Sequence, residues 1–116
     1  MDSPLQQKSF LFALQIIKLS RYLKTTYNEF DLSRQILKSG TSIGANIREA
    51  RNAQSQADFA SKLSIALKEA DETQYWLELI HSSKMMTEKD FIMANNDLKE
   101  LIAMLVSSIK TTKSKT

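Results

Sequence analysis

From Phe59 to Ile80 the sequence sets Phe59, Leu63, Ala66, Ala70, Thr73, Leu77 and Ile80 at alternating steps of four and three residues. Side chains with that period line one side of an α-helix and cannot share a face of a strand. Leu67 and Trp76 widen the row. So regular a seam predicts a long helix packed along other helices. Ser55 followed by Asp58 marks its start, with a serine to accept the first backbone N–H groups. Aspartate is a shorter return partner than the Glu or Gln of a usual capping box.

The rest of the chain permits little except more helix. Its 116 residues hold one proline and two glycines, too little punctuation for many short strands. A composition of 42% hydrophobic and 25% charged residues fits a soluble single domain with one modest core. A first helix is expected to begin between Leu5 and Lys8 and end near Tyr27. Its inward stripe reads as Phe10, Ala13, Leu14, Ile17 and Arg21, with Ile16, Leu23 and Tyr27 as a second shoulder. Asp31 is the expected cap of a second helix from Leu32 to Asn52, whose stripe is Leu32, Ile36, Ser39, Ile43, Ile47 and Ala50. A fourth helix starts near Thr87, its cap, with Asp90 in the first turn. Phe91, Ala94, Leu98, Leu101, Ile102, Leu105 and Ile109 continue it inward. Residues 111–116 carry no such stripe and read as a flexible basic tail, in which Lys113 and Lys115, with Lys110 before them, touch phosphate or simply solubilise. The expected fold is all-α, an antiparallel up-and-down four-helix bundle over residues 1–110.

Within the second helix, Gly40 and Gly44 stand one turn apart on one shoulder of the stripe. Each costs about 1 kcal/mol relative to alanine in a helix, so close approach of another helix is the expected compensation. Ser42, Asn46 and Glu49 occupy the opposite shoulder and, with Glu69, read as a structural hydrogen-bond network across a helix junction. Trp76 reads as core or interface rather than as a platform for bases.

Catalytic chemistry finds little foothold. The one histidine, His81, sits near a helix end and reads as a surface or capping group. There is no cysteine, no visible serine–histidine–carboxylate set and no glycine-rich phosphate loop. Glu69 and Glu72 share a side, but a di-iron bundle also needs Glu-x-x-His units. No catalytic residue, metal ligand or cofactor is assigned. No stretch reaches the roughly 18 apolar residues of a spanning helix, and no leader is evident, so a cytoplasmic protein without a membrane partner is expected. The net charge of +3 and the basic pI favour polyanionic partners. Arg34, Lys38 and Arg48 point outward from the second helix, with Arg51 on its flank, and Lys18, Arg21 and Lys24 add charge to the first. These are the candidate nucleic-acid-binding residues; they supply phosphate contact without base specificity.

The segment from Phe30 to Ile80 resembles the bacterial four-helix-bundle family associated with intervening sequences of 23S ribosomal RNA, a family related to accessory proteins of diversity-generating retroelements. Gln35, Ser42, Ile43, Asn46, Ile47, Glu49 and Ala50 carry the match in the second helix. Ser55, Phe59, Leu63, Ala66, Glu69, Ala70, Glu72, Thr73 and Trp76 carry it through the third. Many members have Glu-Gly where this chain has Glu49-Ala50, a departure that disfavours a glycine turn there. The resemblance implies a homo-oligomer, with pentameric rings known among relatives, and RNA or a reverse transcriptase as partner. The resulting expectation is a non-catalytic oligomeric adaptor that binds structured RNA or a nucleic-acid-processing protein. The alternative is a protein-interaction scaffold with no nucleic-acid contact.

Overall fold

The structure is a computed structural model and describes residues 3–114. Four helices follow one another: α1 (Pro4–Tyr27), α2 (Asp31–Ala50), α3 (Gln56–Ser82) and α4 (Glu88–Ser114). Consecutive helices pack side by side and α4 returns to α1, while the backbones of the diagonal pairs stay apart across the shared core. The product is an up-and-down four-helix bundle of 48 × 23 × 20 Å. Its closing seam, between α1 and α4, is the thinnest of the four.

Local chemistry sets the helix ends. Ser3 and Gln6 form a reciprocal capping box, with Pro4 in the first turn, so α1 starts slightly before the expected range. It stops where Asn28 turns left-handed at φ 54°. Asp31 does not cap α2: it is the first helical residue, and the Glu29 carboxylate accepts from Leu32 N–H instead, at 3.1 Å. Glutamate two residues earlier reaches the free donor that the shorter Asp31 has already passed. α2 ends at Ala50, two residues before the expected Asn52, as Asn52 and Ala53 close tight turns onto the carbonyls of Glu49 and Ala50. It runs unbroken through Glu49-Ala50, as the missing glycine suggests. Ser55 caps α3, and Asp58 reaches back to the N–H of Gln54, one residue beyond the usual return. Thr87 caps α4 by accepting from Asp90 N–H at 3.1 Å. That helix continues to Ser114 with Thr112 buried, so residues 111–114, expected in a tail, are helical. Lys115 lies outside the described residues.

The stripes of α2, α3 and α4 face the core as the sequence predicts, with Leu32, Phe59, Phe91 and Ile102 at its edge. The stripe of α1 does not. Its buried residues are Ser9, Phe12, Ile16, Ser20 and Leu23, whereas Phe10 and Leu14 are 54% and 45% exposed and Tyr27 lies on the surface. Two serines disguise the inward row, because hydropathy counts them as polar. Each faces α2. Ser9 lies against Gly44, and a Cβ on Gly40 would fall 2.8 Å from Ile16 Cγ2. Ser20 meets Ser33 with hydroxyls 2.7 Å apart, and Ser33 Oγ donates to the Ser20 carbonyl at 2.9 Å. Between α2 and α3, Thr73 Oγ1 lies 2.9 Å from Ser39 Oγ and 2.7 Å from the Glu69 carbonyl. These buried hydroxyls are satisfied, which removes the desolvation penalty of an unpaired polar group.

Two stability predictions follow from this seam. Gly40→Ala forces its new methyl onto the stiff, buried Ile16, and overpacking of about 1–3 kcal/mol exceeds the helix-propensity gain of about 1 kcal/mol. Gly44→Ala meets Ser9 less closely, with Oγ nearest at 3.3 Å and Cβ at 3.5 Å, and its two contributions nearly cancel. Chemical denaturation should therefore separate the two variants clearly. In a double-mutant cycle, Ser20→Ala and Ser33→Ala should each cost about 1–2 kcal/mol and the pair less than their sum; full additivity would show that the hydroxyls do not interact.

Candidate nucleic-acid interface

Seven-residue steps on a helix return nearly to the same side, so α2 presents two adjacent outward rows. One is Arg34, Thr41 and Arg48; the other is Lys38 and Ala45, with Asn52 in the turn just beyond the helix. From Arg34 to Arg48 the helix rises about 21 Å, at 1.5 Å per residue. Arg34 pairs with Asp31 at 2.8 Å, but both side chains are mostly solvated. An exposed pair of this kind contributes about 0–1 kcal/mol and yields readily to a phosphate. Lys38 and Arg48 are exposed.

The register of α1 against α2 decides which other cations join this face. Ser20 opposite Ser33 and Ile16 opposite Gly40 bring the C-terminal half of α1 level with the N-terminal half of α2. Arg21 falls three turns beyond Phe10, which lies toward α2, and Lys24 one turn beyond the buried Ser20. Both border the α1–α2 side near Arg34. Lys18 does not: it lines a groove on the opposite flank, between α1 and α4. Arg51 lies at the far end of α2, where its backbone N–H caps the helix. The candidate cations thus divide by position instead of forming one cluster.

At the Arg48 end the two helices enclose a recess of about 350 Å³. Ser9, Phe10, Ala13, Gly44 and Ala45 supply its apolar and small lining. Gln6, Thr41, Arg48, Glu49 and Asn52 supply its polar groups. The flanking groove between α1 and α4, about 440 Å³, is lined by Leu19, Tyr22, Met86 and Met93, with Lys18 and Asp90 beside them. Leu11, Leu14, Ile92 and Met93 stay exposed on these two helices. The Tyr22 phenol is held above its ordinary pKa, first by its hydrogen bond with Tyr27 and then by loss of solvent and by the nearby Tyr27 and Asp90 charges.

The polar group read from the sequence is arranged differently. Ser42 Oγ donates to the Lys38 carbonyl and Asn46 Nδ2 to the Ser42 carbonyl, both within α2. Glu49 is exposed and Glu69 half-buried, and among the described residues no side-chain hydrogen bond joins the four. Short side chains on one helix satisfy themselves on the preceding turn before they reach a neighbour. The bonds that cross between helices come from Ser20–Ser33 and Ser39–Thr73, and at the rim from Gln15–Asp97, Gln74–Asn95, Lys8–Glu100 and His81–Glu88. Serine or threonine inside an apolar row was the available signal for the first two.

Gly40 and Gly44 both face α1 at close range. Trp76 packs partly buried against the core, its Nε1 buried without an acceptor and its ring edge-on to Tyr75 at 5.1 Å. His81 stacks on Phe91 at 4.0 Å and meets Glu88 at 2.7 Å, which ties the end of α3 to the start of α4. Among the described residues, no group of three or more His, Cys, Asp or Glu is placed to hold a metal ion, and no helix is long and apolar enough to cross a membrane.

Residues 1–107 match a family model described as 23S rRNA-intervening sequence protein. A crystal structure of a protein of unknown function from the S23 ribosomal protein family of Bacteroides thetaiotaomicron superposes with a TM-score of 0.90 at 52% identity. The match covers 91% of this chain and 98% of that one. None of the curated proteins matches.

Proposed function

Because the chain belongs to the 23S rRNA-intervening sequence protein family, we propose that it is a non-catalytic oligomeric adaptor that binds structured RNA through the outer face of α2. The observation that carries this reading is the pair of outward rows on α2, with Arg34 and Lys38 at one end, Arg48 at the other, and Arg21 and Lys24 alongside. Phosphates spaced along an RNA strand suit such a line of separated cations. Individual contacts are weak, and several copies of the face in one assembly turn them into avidity. Self-association has its own support in the apolar surface that Leu11, Leu14, Ile92 and Met93 leave exposed on α1 and α4. A homopentamer is the assembly that the family resemblance suggests. A reverse transcriptase is the protein partner that the related retroelement proteins suggest. The competing reading, a protein scaffold without RNA contact, draws on the same apolar surface.

Two experiments test the reading. For the variant Arg34→Gln/Lys38→Gln/Arg48→Gln, the slope of log affinity for RNA against log salt should fall by about 2 if three phosphate contacts are lost. An unchanged slope and affinity in the folded variant would remove α2 as the RNA face. Light scattering across concentration should give a mass several times 13.2 kDa, reduced to one chain by Leu11→Asp with Met93→Asp. A monomer at every concentration of the unmodified protein would end the oligomeric half of the proposal.

A further inference from the structure

Phosphate contact alone carries no sequence information, yet the recess at the Arg48 end of α2 is built from more than charge. Phe10 is 54% exposed there, and among the described residues no other ring stacks on it. Gly44, Ala45 and Ala13 keep the space beside it open. Arg48, Glu49 and Asn52 lie within little more than one turn and line the same space. Among the described residues their side chains make no hydrogen bond or ion pair. Together they offer a donor-only guanidinium, an acceptor-only carboxylate and an amide that does both.

We propose that this recess is a subsite for one unpaired guanine of the bound RNA, stacked on Phe10 and read at its edges by Arg48 and Glu49. The inference rests on the RNA-binding reading above and adds base selection to it. An aromatic face exposed beside polar edge groups is the chemistry by which proteins hold splayed-out bases in RNA loops and bulges. A volume of about 350 Å³ admits one base and not a duplex. The carboxylate chooses among the bases. Guanine presents N1–H and N2–H₂ side by side, two donors for one carboxylate, while its O6 and N7 accept from arginine. Adenine and cytosine would set a ring-nitrogen lone pair against Glu49, and uracil would set a carbonyl oxygen on either side of its single donor. Arg34 and Lys38, farther along the same side of α2, are placed to take the phosphates of neighbouring nucleotides.

The test uses the full chain and fluorescein-labelled uridine hexamers with one central guanosine or adenosine, read by anisotropy at low salt. The guanosine oligomer should bind roughly tenfold tighter, and Glu49→Gln should erase that preference. Phe10→Leu, which keeps the bulk but removes the ring, should weaken binding roughly tenfold, the scale of one base–aromatic stack; Phe10→Tyr should restore it. Circular dichroism confirms that each variant is folded. Equal affinity for the two hexamers overturns the guanine subsite. So does a Phe10→Leu variant that changes the mass in light scattering while leaving hexamer affinity intact, since the ring would then be a contact between copies. If both hexamers bind equally and Arg34→Gln/Lys38→Gln weakens both alike, the subsite falls and the RNA adaptor stands. If neither hexamer nor a longer structured RNA binds, both readings fall.

Discussion

The close approach of α1 to α2, with Ile16 where a Cβ on Gly40 would sit, sets the terms for everything around it. Removing a Cβ from α2 lets the branched side chain of α1 occupy the space a methyl would need. That contact fixes how near the helices come and which side of α1 turns inward. One turn farther along α1, Ser20 and Ser33 sit opposite each other; at the other end Gly44 receives Ser9. A helix committed in this way to Ser9, Phe12, Ile16, Ser20 and Leu23 has no choice about its other side, so Phe10 and Leu14 face out. The same closeness forms the small-residue lining of the recess beside Arg48.

Polar groups inside the bundle define position, while apolar area supplies the bulk of the driving force. The Ser20–Ser33 and Ser39–Thr73 contacts each favour one alignment of their two helices, because a slip along either helix would separate the paired hydroxyls. Among the described residues Trp76 is the exception: its buried indole N–H finds no acceptor there, and its apolar bulk against the core is what favours it. Charge plays a separate part. It lies almost wholly outside, and helix register decides which cations become neighbours.

Three of the helices were legible from their apolar rows, because α2, α3 and α4 carry uninterrupted residues at helical spacing and bury them. The caps at Ser55 and Thr87 were legible too, since each places a hydroxyl three residues before the N–H it serves. The first helix was legible in its extent, ending at Tyr27, and in Ile16 and Leu23, but not in which of its rows turns inward. It has an apolar row on each side, and the row that wins is the one carrying two serines. Only knowledge of what lies opposite could decide this: Gly44 and Ser33 welcome a small polar group where a phenylalanine would clash. Asp31 looked like a cap because nothing in the sequence says that Glu29 will reach the same turn first. The shared shoulder of Ser42, Asn46 and Glu49 was visible, but its bonding was not, because a serine or asparagine in a helix finds a carbonyl on its own preceding turn. The outward cations of α2 could be placed on a wheel; the recess between two helices could not, because its second wall belongs to α1.

The thin seam between α1 and α4 gives the bundle a grain. Gln15–Asp97 and Lys8–Glu100 hold its rim, and water competes for both interactions far better than it competes for the serine pairs inside. Resistance to parting is therefore lowest between α1 and α4, while α2 and α3, each packed on two neighbours, form the spine. The cationic rows ride on that spine, so a disturbance at the opposite edge leaves their spacing unchanged.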